Sequence, residues 1–128
     1  MGEVQTVLVQ NNEYYNYRLY LCGEITEPSE HIDIIQALHN AGPDDTVDLF
    51  INSGGGNLVT AIQIMDAIKH CNASVTGHLV GEALSAGGML FLACDSWRVA
   101  DFATLMIHNY TGGAIGKGHE LYSSIGYM

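Results

Sequence analysis

The segment from Thr46 to Ile68 constrains the fold more than any other part of this sequence. Thr46–Ile51 is rich in β-branched and apolar residues, which predicts a strand. Gly54-Gly55-Gly56 follows as a sharp turn, and Asn57 is a suitable N-cap for a helix. The apolar residues of that helix predict a buried face made of Leu58, Ala61, Ile62, Met65 and Ile68.

The rest of the chain repeats this alternation of strands and helices. After a strand at Arg18–Cys22, Glu27-Pro28-Ser29 predicts the start of a helix that ends at Gly42-Pro43. Its predicted core residues are Ile32, Ile35, Ala37 and Leu38. Later elements are expected as a strand at Ser74–Leu79, a helix at Leu84–Cys94, and strands at Trp97–Ala100 and Thr104–Ile107. We therefore predict one α/β domain over residues 1–128, with parallel strands joined by crossover helices.

The charge balance excludes several classes of partner. Four basic residues stand against fourteen acidic ones, so the formal net charge is -10 and no basic stripe is available for phosphates. We expect neither nucleic acid nor membrane as a partner. The longest uncharged apolar stretch, Ala86–Cys94, is too short to span a bilayer, and no secretory signal is visible. These features predict a cytoplasmic protein, and the charged fraction of only 14% favours burial of apolar surface against other subunits.

The cysteines and histidines show no metal-binding spacing. Cys22, Cys71 and Cys94 are far apart, which predicts reduced and buried thiols rather than disulfides or a zinc site. Five of the six histidines also lack ligand spacing: His31, His39, His70, His78 and His119. The sequence therefore predicts no metal.

Three candidate features follow predicted strands, where active sites of open α/β sheets lie. They are the glycine triplet Gly54–Gly56, the segment Gly81–Gly88 and His108. Ser85 would start a helix, Gly55 or Gly56 could direct a backbone N–H at an oxyanion, and His108 could accept the serine proton. Taken singly, each has a structural interpretation: a tight turn, a small packing residue and a hydrogen-bonded histidine.

A second glycine-rich segment, Gly112–Gly118, superficially looks like a phosphate-binding loop. Only three residues separate Gly112 from Gly116, where that motif needs four. Gly118 also stands in place of the serine or threonine that would hold magnesium. We therefore do not expect a nucleotide site there.

Three motifs in order resemble the Clp protease proteolytic subunit (ClpP) family of serine peptidases. Ile51–Gly56 is similar to I-N-S-P-G-G, Gly81–Gly87 to G-x-A-x-S-M-G, and Met106–Gly113 to M-I-H-Q-P-x-G-G. The resemblance covers about Arg18 to Ser123 and implies a crotonase-like α/β fold of repeated β-β-α units. It also implies that Ser85 is the nucleophile and His108 the general base. The backbone N–H groups of Gly56 and Ala86 would form the oxyanion hole.

The sequence departs from the family pattern at several points. Gly54 replaces proline, and Asn109-Tyr110 replaces Gln-Pro. No residue matches the acid of the triad, which in the family follows the histidine; Asp95 and Asp101 lie between serine and histidine instead. The handle helix of the family would begin near Gly116, so we expect the C-terminal part of the domain to be missing.

The resemblance also implies partners. These are further copies of the chain in stacked seven-membered rings, an AAA+ unfoldase ATPase and unfolded polypeptide substrates. ATP would bind the unfoldase, so no cofactor is expected in this chain. Two alternatives stay open: a non-catalytic structural subunit of a mixed ring, and a crotonase-type acyl-CoA enzyme on the same fold.

Overall fold

The computed structural model describes residues 3–8 and 14–107, and the backbone alone over 3–8. Its strands form one sheet in the order β1-β2-β3-β4-β5, with β6 pairing to β4. The first pair is antiparallel and all others are parallel. The strand bounds are β1 Glu3–Leu8, β2 Tyr15–Cys22, β3 Thr46–Ser53, β4 Ser74–Leu84, β5 Ser96–Val99 and β6 Thr104–Met106.

Helices connect the parallel strands. A 3-10 turn at Pro28–His31 leads into α1, Ile32–Asn40, which joins β2 to β3. The next two connections are α2, Leu58–Lys69, and α3, Ala86–Ala93. Helix α2 contacts both α1 and α3, so the three helices form a layer. The predicted α/β architecture with crossover helices is confirmed.

The core lies between this helix layer and one face of the sheet. Alternate residues of the central strands are completely or almost completely buried, as period-2 strands require. From β2, β3 and β4 these residues are Leu19, Leu21, Val47, Leu49, Ile51, Val75 and Leu79.

Two of the predicted core residues are exposed. Ile32 is 43% and Ile62 46% accessible, whereas Ile34 in α1 and Ile64 in α2 are fully buried. At α1, the buried face begins at His31 and continues through Ile34 at regular helical spacing, so Ile32 lies beside that face. In α2, apolar residues surround most of the helix, so their spacing leaves the buried face ambiguous. The prediction for these two positions was wrong.

The cysteine prediction is also only partly correct. All three thiols are free, but Cys22 is exposed, Cys71 is half-buried and only Cys94 is buried. Cys22 follows the buried Leu21 in β2, and strand alternation turns it to the opposite face. Burial raises the pKa of the Cys94 thiol to about 12.

In the second half of the chain, the largest difference from expectation is at the end of β4, whereas the other bounds differ by one or two residues. Strand β4 continues to Leu84, beyond the predicted end at Leu79, because β6 pairs with its last residues in the register Glu82↔Thr104 to Leu84↔Met106. Helix α3 therefore begins at Ala86 rather than Leu84.

No helix in the described ranges has the length and apolar character needed to cross a bilayer.

Candidate active site

The glycine triplet forms the turn between β3 and α2. Gly55 and Gly56 have φ angles of 106° and 142°, which favour glycine. The Gly55 carbonyl accepts a hydrogen bond from Ile25 N–H at 2.9 Å, and the Ile25 carbonyl accepts one from Asn57 N–H at 2.8 Å. A Cβ on Gly56 would overlap the Ile25 carbonyl oxygen. The turn is therefore fixed against the segment that follows β2.

Asn57 ends this turn and starts α2. Its side-chain Oδ1 accepts a hydrogen bond from Thr60 N–H at 3.0 Å, as an N-cap does. The N-cap predicted from the sequence is confirmed, and it sets where the glycine turn stops.

Ser85 occupies the turn between β4 and α3. Its φ of 56° and ψ of -121° are sterically unfavourable, and it is the one non-glycine residue with positive φ in the described ranges. The Ser85 N–H donates to the Met106 carbonyl at 2.8 Å, and its carbonyl accepts from Met89 N–H at 3.1 Å. Backbone strain of this kind clusters at functional sites, and a sharp strand-to-helix turn is typical of nucleophilic serines.

The turns of Ser85 and the glycine triplet are in contact. A Cβ placed on Gly55 would lie 3.2 Å from the Ser85 Cβ and 2.9 Å from the Leu84 carbonyl oxygen. On the other side, a Cβ on Gly87 would lie 2.9 Å from the Ser53 carbonyl oxygen. Glycine at both positions lets the backbones of β3 and α3 approach closely. The structure thus brings together two of the three features predicted from the sequence.

Two backbone donors are available at this contact. In the described part of the chain, the N–H groups of Gly56 and Ala86 donate to no backbone carbonyl. Ala86 is the first residue of α3, where N–H groups have no partner within the helix and carry partial positive charge. This environment can stabilise an anion.

His108 lies outside the described residues, as do Asn109-Tyr110 and Gly112–Gly118. The described chain ends at Ile107, directly after the carbonyl of Met106 that binds Ser85. A Cβ on Gly88 in α3 would lie 3.0 Å from Ile107 Cγ1. The backbone leading to the histidine motif is therefore next to the serine turn.

Neither aspartate between the two motifs is placed at Ser85. Asp95 Oδ2 accepts from Val75 N–H at 2.8 Å near the start of β4, whereas Ser85 follows the end of this 11-residue strand. Helix α3 spans the distance between Ser85 and Asp95, and its rise places the two residues on the order of 15 Å apart. Asp101 lies in the turn before β6, whose far end contacts Ser85.

A cleft of about 580 Å³ opens beside the glycine turn. Two acidic residues at its edge, Glu24 and Glu82, were not identified from the sequence. Glu82 lies inside the motif around Ser85, but its charge did not stand out among fourteen acids. The lining residues are Gly23, Glu24, Asn52, Gly54, Gly55, Gly56 and Glu82.

Metal ligands are not clustered at this cleft. Among the residues that the structure describes, no group of three or more His, Cys, Asp or Glu side chains could hold a metal ion. The chemistry that the arrangement offers is therefore that of a hydroxyl next to backbone N–H donors.

The family model and the similar curated proteins indicate the same protein family. The family described as Clp protease matches residues 3–126. The chain is 33% identical over 109 residues to the ATP-dependent Clp protease proteolytic subunit 2 of Chlamydia trachomatis serovar D, covering 81% of this chain and 54% of that protein. Subunit 2 of Chlamydia pneumoniae is 31% identical over the same shares of the two chains. The chain thus spans about half the length of the curated relatives it matches.

Proposed function

This chain belongs to the Clp protease family, and we propose that it acts as the proteolytic subunit of an ATP-dependent Clp-type protease. The observation that carries the proposal is the strained turn of Ser85 packed against the glycine turn of Gly55–Gly56. A serine hydroxyl beside two backbone N–H donors is suited to acyl transfer.

In the proposed mechanism, Ser85 Oγ attacks the carbonyl carbon of a peptide bond while His108 accepts the hydroxyl proton. The N–H groups of Gly56 and Ala86 donate to the resulting oxyanion. His108 then protonates the leaving amine, and the C–N bond breaks to give an ester on Ser85. Water hydrolyses this ester by the same route, with His108 acting first as base and then as acid.

A fluorophosphonate probe tests the nucleophile. We expect the probe to label Ser85, and labelling to be lost in Ser85→Ala and strongly reduced in His108→Ala. Ser29→Ala is the matched control, because Ser29 is exposed in the 3-10 turn before α1. Unchanged labelling of Ser85→Ala would refute the assignment. A chain that takes up no probe but joins rings of active subunits would support the non-catalytic alternative.

We also propose that the chain assembles into stacked seven-membered rings that receive unfolded polypeptides from an AAA+ unfoldase in the cytoplasm. An apolar surface at β5 and β6 supports the assembly, because large apolar patches mark interaction surfaces. Phe102 in this surface is 98% accessible. The apolar surface consists of Trp97, Val99, Phe102, Leu105 and Met106.

Light scattering after size-exclusion chromatography tests the assembly. Phe102→Glu should shift the chain from rings to smaller species, because it places a charge in the apolar surface. Val59→Glu is the control, since Val59 is 71% accessible on α2, away from that surface. If Phe102→Glu forms rings of unchanged mass, the apolar surface does not take part in the contacts between subunits.

The acyl-CoA alternative is disfavoured by the charge of the cleft. Coenzyme A carries phosphates, whereas Glu24 and Glu82 line the cleft and no lysine or arginine does so among the described residues. Like charges at a binding site oppose association. Calorimetry that detected tight binding of coenzyme A would restore this alternative.

A further inference from the structure

We propose that Glu24 and Glu82 give the cleft a preference for peptides with a basic residue next to the cleaved bond. This inference rests on the proposed peptidase function and names a substrate class for it. It concerns the two carboxylates at the rim of the cleft, which stand on either side of the glycine turn.

An irregularity in the pairing of β3 with β4 places Glu82 next to Gly54, the first glycine of the triplet. The pairing of β3 and β4 shifts register between Ile51 and Ser53, and Asn52 Oδ1 accepts a hydrogen bond from Glu82 N–H at 3.1 Å in the gap. Such bulges redirect side chains. As a result, Glu82 Oε2 lies 3.5 Å from the position that a Cβ on Gly54 would take.

Glu24 approaches the turn from the opposite end. Its Cγ lies 3.1 Å from the position that a Cβ on Gly56 would take. The backbone on either side of Glu24 is fixed, because Gly23 N–H donates to the Asn52 carbonyl and Ile25 N–H to the Gly55 carbonyl, both at 2.9 Å. A peptide that lies along the glycine turn, which contacts Ser85, would therefore have a glutamate near each end of the turn.

Nothing in the described part of the chain neutralises these two charges. The single ion pair among the described residues joins His78 to Asp48, on another part of the sheet. Arg18, Lys69 and Arg98 lie on β2, at the end of α2 and on β5, and none of them lines the cleft. A cationic side chain of the substrate would supply the missing counter-charge.

The expected effect is moderate because both glutamates are exposed. Exposed ion pairs are weak, so each carboxylate should contribute about two- to fivefold in relative affinity. Screening should reduce the preference when NaCl is raised from about 0.05 M to about 0.5 M.

The test compares two fluorescent peptides that differ only in lysine or norleucine beside the cleaved bond. We expect higher kcat/KM for the lysine peptide and, by fluorescence anisotropy, tighter binding of it to Ser85→Ala. The preference should shrink in Glu82→Gln and Glu24→Gln and nearly vanish when both are changed. Asp44→Asn is the matched control: it also removes one negative charge, but it lies before β3, at the opposite end of that strand from the glycine turn.

The two readouts separate failure of this inference from failure of the proposed function. Cleavage or binding without preference for lysine, or a preference that survives both glutamine substitutions, overturns the role of the glutamates. Preferential binding of the lysine peptide to Ser85→Ala, together with no cleavage by the unmodified chain, supports the charged cleft and refutes the peptidase.

Discussion

The amide of Ser85 donates a 2.8 Å hydrogen bond to the carbonyl of Met106. This bond extends the pairing of Leu84 with Met106, so strand β6 holds the serine turn in place. The strained backbone of Ser85 is thus stabilised by the chain segment that leads to His108. This backbone hydrogen bond therefore links the position of Ser85 to the segment that precedes His108.

The strain at Ser85 can be measured with two substitutions. Ser85→Gly should be more stable than Ser85→Ala by about 1 kcal/mol, because glycine tolerates positive φ whereas alanine retains the strain. Both variants lack the hydroxyl, so the difference in their free energies of unfolding in urea reports on the backbone. Equal stabilities would show that the φ of 56° carries no cost.

The close approach of Gly56 to Ile25 predicts a large destabilisation. Gly56→Ala should cost about 3 kcal/mol or more in the free energy of unfolding, because its Cβ would overlap the Ile25 carbonyl oxygen. Gly23→Ala is the control, since Gly23 has a similar positive φ of 102° and no heavy atom within 4 Å of the added Cβ. It should cost about 1 kcal/mol. Equal losses in the two variants would contradict the steric argument.

We expect Asp48 to contribute to the free energy of unfolding in a way that depends on pH in the acid range. Partial burial alone would raise the pKa of Asp48, but hydrogen bonds from Asn16 and His78 and the charges of His78 and Arg18 outweigh it and hold the pKa below 3.8. A lowered pKa stabilises the fold above the unfolded value, and this contribution is lost as the pH falls through the folded pKa.

Urea unfolding between about pH 6 and about pH 3 checks this expectation. The loss of stability on acidification should be smaller in Asp48→Asn than in the unmodified chain. Asp44→Asn, which lacks the contacts to Asn16 and His78, should keep the original pH dependence. The same acid sensitivity in Asp48→Asn would exclude this carboxyl as a source.

The three cysteines should differ in reactivity. Because burial raises the pKa of Cys94 to about 12, little thiolate forms there, and a maleimide at about pH 8 should leave it unmodified in the folded chain. Cys22 is exposed and should react first. Peptide mass spectrometry after a short exposure gives the order, and full modification in urea is the control. Rapid labelling of Cys94 without denaturant would contradict its burial.

Elements with strong local signals were predicted well from the sequence. The strand before Gly54, the glycine turn and the Asn57 cap all follow from local backbone and hydrogen-bonding preferences. The location of Ser85 at the start of a helix follows in the same way. These features depend on neighbours within a few residues, which a single sequence contains.

Features that depend on distant contacts were missed. Glu24 and Glu82 meet at one cleft only through the pairing of Ile25 with Gly56 and the register shift at Asn52. The extension of β4 to Leu84 likewise depends on β6, some twenty residues later. Strand β1 was not predicted either, and it is paired to β2 over its whole length.

Two strands pair with successive parts of β4. Strand β5 pairs with Thr76–Leu79, and β6 pairs with Glu82–Leu84. A nascent polypeptide emerges with its N-terminus first, so Ser85 is synthesised well before the residue that accepts its amide hydrogen. Until Met106 has been added and β6 has docked, the hydrogen bond that holds the amide of Ser85 cannot form. The order of translation therefore delays this restraint on Ser85 until nearly the whole sheet has been synthesised.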